Sequence, residues 1–258
     1  MSKFLESLGQ ASSAATPPMG FRVGAGAQPK QGMLLVAAVA DGDEVTELVA
    51  GADAGLVVVT GSRGEVFQNA LNAAPDIPWG AWVTSGGNEI DRIPEGYDFA
   101  VFPDCTAMVG FQGEVEGKVL AVKALLGEGL LRAVDRLPVE AVLMDYSHPE
   151  GGVLTWHHLM QVQRSTGLLS KPLLVAVGAG VVAAELQALW AAGVSAVVVE
   201  VGKGQTGIIN ELRRTIESLP PLPQRKQGRL GAIVPMIGGR RSEAAEPEEE
   251  PDEESEEE

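Results

Sequence analysis

Three side chains suited to proton transfer or covalent chemistry, Lys123, Asp145 and His148, follow closely on apolar runs. Lys123 comes directly after Val119-Leu120-Ala121-Val122, where a buried ammonium is costly unless it is paired. A desolvated lysine gives up its proton readily and becomes a nucleophile or Schiff-base former. It could equally pair with Asp145 or with a ligand carboxylate, or point to solvent if its strand ends one residue earlier. Asp145 opens the stretch Asp145-Tyr146-Ser147-His148-Pro149-Glu150-Gly151-Gly152. That stretch joins a carboxylate to an imidazole able to act as general acid or base near neutral pH. Its paired glycines suit a lid. An exposed loop ending in a helix cap at Thr155 would look the same.

Two glycine-rich segments form a second group. Val177 runs into Gly178-Ala179-Gly180, and Val201 runs into Gly202-Lys203-Gly204-Gln205. Glycines ahead of a helix let main-chain N–H groups approach an anion, and the helix N-terminus adds partial positive charge. Lys203 would add a full charge. Tight strand–helix turns alone would also use these glycines. Further polar residues stand at comparable places: Asp41, Thr60, Ser62, Thr84, Ser85, Asp104 and Glu200. Asp, Ser and Thr there also serve as helix caps.

Eight apolar runs must position these groups: 33–40, 55–60, 79–84, 98–102, 118–124, 141–145, 172–177 and 195–201. Most are continuous rather than alternating, which suits strands covered on both faces of a parallel sheet. Helical patterns separate many of them, at 44–50, 64–73, 128–137, 155–166, 181–192 and 206–218. Repeated strand–helix units predict right-handed crossovers. Ala50-Gly51-Ala52-Asp53-Ala54 and Ala192-Gly193-Val194-Ser195-Ala196 each lead into a valine run, with glycine where a helix C-terminus needs a left-handed residue. The expected fold is α/β, a single small (βα)8 TIM barrel, with a doubly wound open sheet as the competitor. In a barrel the polar residues above gather at the C-terminal ends of the strands, where such folds carry their sites.

From Leu174 to Gly202 the order is apolar strand, glycine pair, Ala-rich helix, Ala-Gly turn, valine strand and glycine. This segment resembles the phosphate-binding (βα)8 barrels, such as thiamine-phosphate synthase, thiazole synthase and the barrels of tryptophan and histidine biosynthesis. In that family the loop after strand 7 is usually Gly-Gly followed by an aliphatic residue; here Ala179 separates the glycines. The resemblance implies a phosphate held by Gly178, Gly180, Gly202, Lys203 and Gly204. A flavin mononucleotide would fit such a pocket, although no residue demands it.

The chain has 258 residues, 32 of them Gly, with 45% hydrophobic and only 5% aromatic residues, so its core must be built from Val, Ala and Leu. The net charge of −16 is concentrated: 11 acidic residues fall in 243–258, leaving −16 + 11 = −5 for the rest. No basic nucleic-acid footprint marks the body. No apolar run reaches membrane-spanning length, and 1–10 lacks a signal-peptide core. The single cysteine, Cys105, excludes an internal disulfide and suits the cytoplasm. His157 and His158 fall inside a helical pattern and read as structural or surface residues, and no three ligands have zinc spacing. Gly-x-Gly-x-x-Gly after the first strand, a Walker loop and a Gly-x-Ser-x-Gly elbow are all missing.

The expected organisation is a lead-in at 1–32 holding a helical turn or two, a barrel at 33–219, and a linker with a disordered acidic tail at 220–258. Two functions fit. One is a cytoplasmic lyase, isomerase or synthase acting on a small phosphorylated or carboxylated metabolite, with Lys123 and Asp145 or His148 as the reacting groups. The other is a non-catalytic barrel, a scaffold or regulator binding a protein partner through 225–258, where apolar 230–237 could dock.

Overall fold

A computed structural model describes residues 2–14, 32–40, 45–59, 64–83, 96–107, 117–123, 126–146 and 153–222. All eight expected strands form: β1 (Leu34–Val39), β2 (Ala54–Val59), β3 (Trp79–Val83), β4 (Phe99–Pro103), β5 (Lys118–Val122), β6 (Ala141–Asp145), β7 (Leu173–Val177) and β8 (Ala196–Val201). Every neighbouring pair is parallel, and β1 closes on β8 in the register Leu34↔Ala196 through Val39↔Val201. Closure rules out the open sheet. Around the strands lie α2 (Val45–Leu48), α3 (Gly64–Ala73), α4 (Glu128–Val134), α5 (Trp156–Leu168), α6 (Ala183–Ala191) and α7 (Ile208–Ser218).

Side chains alternate across a strand, and here they divide into two cores. Val36, Ala38, Leu56, Val58, Trp82, Phe99, Val101, Leu143 and Val198 fill the barrel interior. Leu35, Val57, Trp79, Val142, Val175 and Val199 face outward and pack with the helices. The valine runs therefore serve both faces. Two glycines make room for aromatic rings on the neighbouring strand. A Cβ at Gly55 would lie 2.3 Å from the Trp79 ring, and one at Gly80 would lie 2.5 Å from Phe99.

The lead-in does more than expected. It holds α1 (Lys3–Ala14), whose Phe4 and Leu8 are fully buried in the interior cluster. Phe4 stacks on Phe99 with ring centroids 4.5 Å apart. Asp98, the residue before β4, accepts hydrogen bonds from Ser2 Oγ (2.6 Å), Lys3 N (2.8 Å) and Phe4 N (2.9 Å). A carboxylate on the first helical amides is the favourable partner for a helix N-terminus. These contacts stand at the start of a strand, so α1 stoppers the N-terminal end of the barrel. Beside it, Asp53 accepts from Leu35 N at 2.8 Å and pairs with Arg213 of α7. Arg213 Nε also donates to Gly51 O at 2.8 Å, tying the last helix to the floor. The chain clusters as one compact unit through Leu222, close to the composition break at Leu219. Of the expected tail, 220–222 are described, and the rest, with its docking segment, lies outside the described residues.

Candidate active site at the barrel mouth

With the floor sealed, the C-terminal ends of the strands are where chemistry can sit. On β6, Ala141 and Leu143 point into the barrel, so Asp145 points the same way at the last position, where it is exposed. On β8, Ala196 and Val198 point inward, and Glu200 follows them, partly buried. Below these two carboxylates the described interior is apolar. Asp145 is in register with Ala176 and Val177 with Val199. One step beyond Val177, Gly178 follows the end of β7, level with Glu200 and two residues past the level of Asp145.

Lys123 requires a correction. β5 ends at Val122 rather than running to 124, and Lys123 is exposed. An exposed lysine at the end of its strand is one of the two placements that the sequence allowed. Its position nonetheless fits the mouth: Val122 is in register with Met144, so the next step along both strands sets Lys123 beside Asp145. His148, Asp41, Thr60, Ser62, Thr84 and Ser85 lie outside the described residues. Asp104 and Cys105 follow β4 and are exposed.

The glycine loops differ from each other. After β7, Gly178 O accepts from Val181 N at 3.2 Å. Glu185, in the first turn of α6, accepts from Val182 N at 3.0 Å and from Leu154 N at 3.1 Å. The N-terminus of α6 thus already carries a carboxylate, and an incoming anion would meet that charge. After β8, Gly202 N donates to Gln205 Oε1 at 2.9 Å, and Lys203 and Gly204 are exposed. Here a neutral carboxamide holds the amide. Gly204 (φ 79°) needs its left-handed backbone. Gly180 and Gly202 do not, and a Cβ at either would meet nothing within 4 Å. Neither conformation nor crowding requires glycine at those two positions.

Sequence reasoning missed Glu185 and Gln205 as internal partners. The signal for Glu185 was present, a Glu three residues past the helix-capping position. It also missed Tyr146, which turns away from the mouth. Tyr146 is buried, donates to Gln161 Oε1 at 2.8 Å and packs on His158 with ring centroids 4.7 Å apart. His158 Nδ1 accepts from Thr155 N (3.2 Å), and Thr155 Oγ1 accepts from His158 N (3.3 Å). This is the structural role expected of His158. Burial raises the Tyr146 pKa above its ordinary value of 10.0. The folded state therefore holds this proton more tightly, so stability is intact below pH 10 and falls as pH rises above it. Tyr146→Phe should flatten the alkaline decline of the melting temperature. An identical alkaline limb in both proteins would contradict this assignment.

No family model and no curated protein matches the chain. Solved structures do. A mutant tryptophan synthase alpha-subunit from Pyrococcus furiosus is similar at 13% identity and a TM-score of 0.52, covering 72% of this chain and 97% of that one. A second mutant of the same subunit gives 15% identity, a TM-score of 0.52 and the same coverage. A protein from Aquifex aeolicus gives 15% identity and a TM-score of 0.50, covering 74% of this chain and 93% of that one. At such identities the likeness is one of fold, and it agrees with the closed register: the fold is a closed, parallel, eight-stranded TIM barrel.

Proposed function

We propose that the chain is an enzyme of the lyase, isomerase or synthase type, acting on a small phosphorylated or carboxylated metabolite at the barrel mouth. The observation that carries this reading is the placement of charge. Along the inward-facing positions the described interior is apolar until the C-terminal strand ends, where Asp145 stands level with Ala176 on one side of β7 and Glu200 level with Gly178 on the other. A carboxylate exposed at the mouth suits general acid–base work. Lys123, one register step from Asp145, suits a charge partner or a proton donor, and His148 on the following loop is a second candidate.

The anion of the substrate is assigned chiefly to the β8 loop. An acceptor oxygen already sits on Gly202 N, and a phosphate oxygen could replace that carboxamide. Gly204 and the Lys203 ammonium complete the cradle, and Gly178 and Gly180 border it. The open space beside Gly180 and Gly202 is what a ligand approaching bare backbone requires. The titration of full-length chain with inorganic phosphate tests this. At a hundred times its dissociation constant, a ligand adds about 2.7 kcal/mol of stability. Gly180→Leu and Gly202→Leu should leave the ligand-free melting temperature near wild type, within about 0.5 kcal/mol as for ordinary surface changes, and abolish the phosphate shift. Equal shifts in all three proteins would defeat the assignment.

A further inference from the structure

The two glycine loops at the mouth differ in the chemistry of what already occupies them. After β7 the internal acceptor is a carboxylate, Glu185, which takes hydrogen bonds from Val182 N and Leu154 N. After β8 it is a neutral carboxamide, and the loop closes in two separate ways. Gly202 O accepts from Gln205 N at 3.1 Å, a main-chain bond across the turn 202–205. Gly204 stands third in that turn with φ 79°, the left-handed position that glycine favours. Gly202 N, in the other direction, donates to Gln205 Oε1 at 2.9 Å.

The first bond holds the backbone of the loop. The second depends on a side chain with rotatable bonds, which can swing away and leave the turn intact. A Cβ at Gly202, Gly204 or Gly207 would meet nothing within 4 Å, so the backbone of the loop borders open space. The helix that follows, α7, starts at Gly207 without a side-chain cap, whereas α5 is capped by Thr155. Glu211, the acid of the first turn of α7, is exposed.

We propose that Gln205 is a displaceable internal cap that competes with the substrate's anionic group for the Gly202 amide. In the free protein its carboxamide oxygen takes the anion's place, and binding exchanges it for a ligand oxygen. The inference rests on the reading of the β8 loop as the anion site and adds how that site is regulated. A partly buried amide left without an acceptor is costly. The cap removes that cost while the site is empty, and so lowers affinity by the worth of the bond it gives up. Because the cap is uncharged, an anion that displaces it meets no repulsion from it. Glu185 is different: charge-assisted bonds are about twice as strong as neutral ones, and its carboxylate opposes a second anion. The two caps together direct the anion to β8 rather than to β7.

Titration of the full chain with inorganic phosphate at fixed ionic strength tests the cap with two variants that should move in opposite directions. Gln205→Ala removes the competitor and should tighten binding about two- to tenfold, the range of one intramolecular hydrogen bond. Gln205→Glu keeps the size of the side chain but sets a carboxylate on Gly202 N, as Glu185 sits on Val182 N. It should weaken binding about tenfold or more. A residue that merely shaped the loop would weaken binding in both variants. In the ligand-free protein, the Gly202 amide should also exchange with solvent faster in Gln205→Ala than in wild type. Phosphate bound by Gln205→Ala no more tightly than by wild type overturns the cap and leaves the anion site standing. Phosphate bound by none of the three proteins overturns the anion site, and the cap with it.

Discussion

Phe4→Ala is expected to destabilise the barrel by about 3–5 kcal/mol, the range for removing a buried aromatic side chain. Phe4 is 1% exposed and stacked on Phe99, which itself lies against the backbone of Gly80. The vacated volume is walled by strands whose hydrogen-bonded register is fixed, so it cannot collapse. Ser2→Ala, which removes one hydrogen bond to Asp98, should cost about 0.5–1.5 kcal/mol. Chemical denaturation of the three proteins measures both effects. If Phe4→Ala costs no more than an ordinary surface change, α1 is an appendage and does not close the floor.

Asp145→Asn should lower turnover of the substrate by about 10²–10⁴-fold, the contribution typical of a positioned acid–base group, while far-ultraviolet circular dichroism stays the same. Asparagine keeps the shape of the side chain and removes its ability to take a proton. Glu200→Gln separates the two mouth carboxylates. A smaller loss there, appearing in KM more than in kcat, would mark a binding role. Undiminished turnover in Asp145→Asn would remove this residue from the mechanism.

The strands were legible because their residues bury both faces. Leu56-Val57-Val58 and Val197-Val198-Val199 could hardly serve otherwise, and β6 falls at the residues expected. Closure was not legible, because it depends on the β1–β8 register, a pairing across 162 residues between Leu34 and Ala196. The floor helix left a trace in the spacing of Phe4 and Leu8, one turn apart. Its partner Asp98 lies 94 residues beyond Phe4, and nothing local announces that contact. The end of β5 was not legible for a related reason. An apolar run shows that a strand exists, whereas its last residue is set by where the neighbour's hydrogen bonds end, here at Val122 and Met144. The glycine loops show the limit for the site. Sequence places donors near an anion, but only geometry reveals that Glu185 lies across one loop and Gln205 across the other.

The central claim is that the barrel mouth binds a small anionic metabolite. Native mass spectrometry of the full chain, screened against phosphorylated and carboxylated metabolites, tests it most directly. The account predicts one-to-one retention of a phosphorylated or carboxylated compound by the wild type, lost in Gly202→Leu and weakened in Lys203→Ala. Retention of none of these compounds, or retention unchanged in both variants, would contradict it.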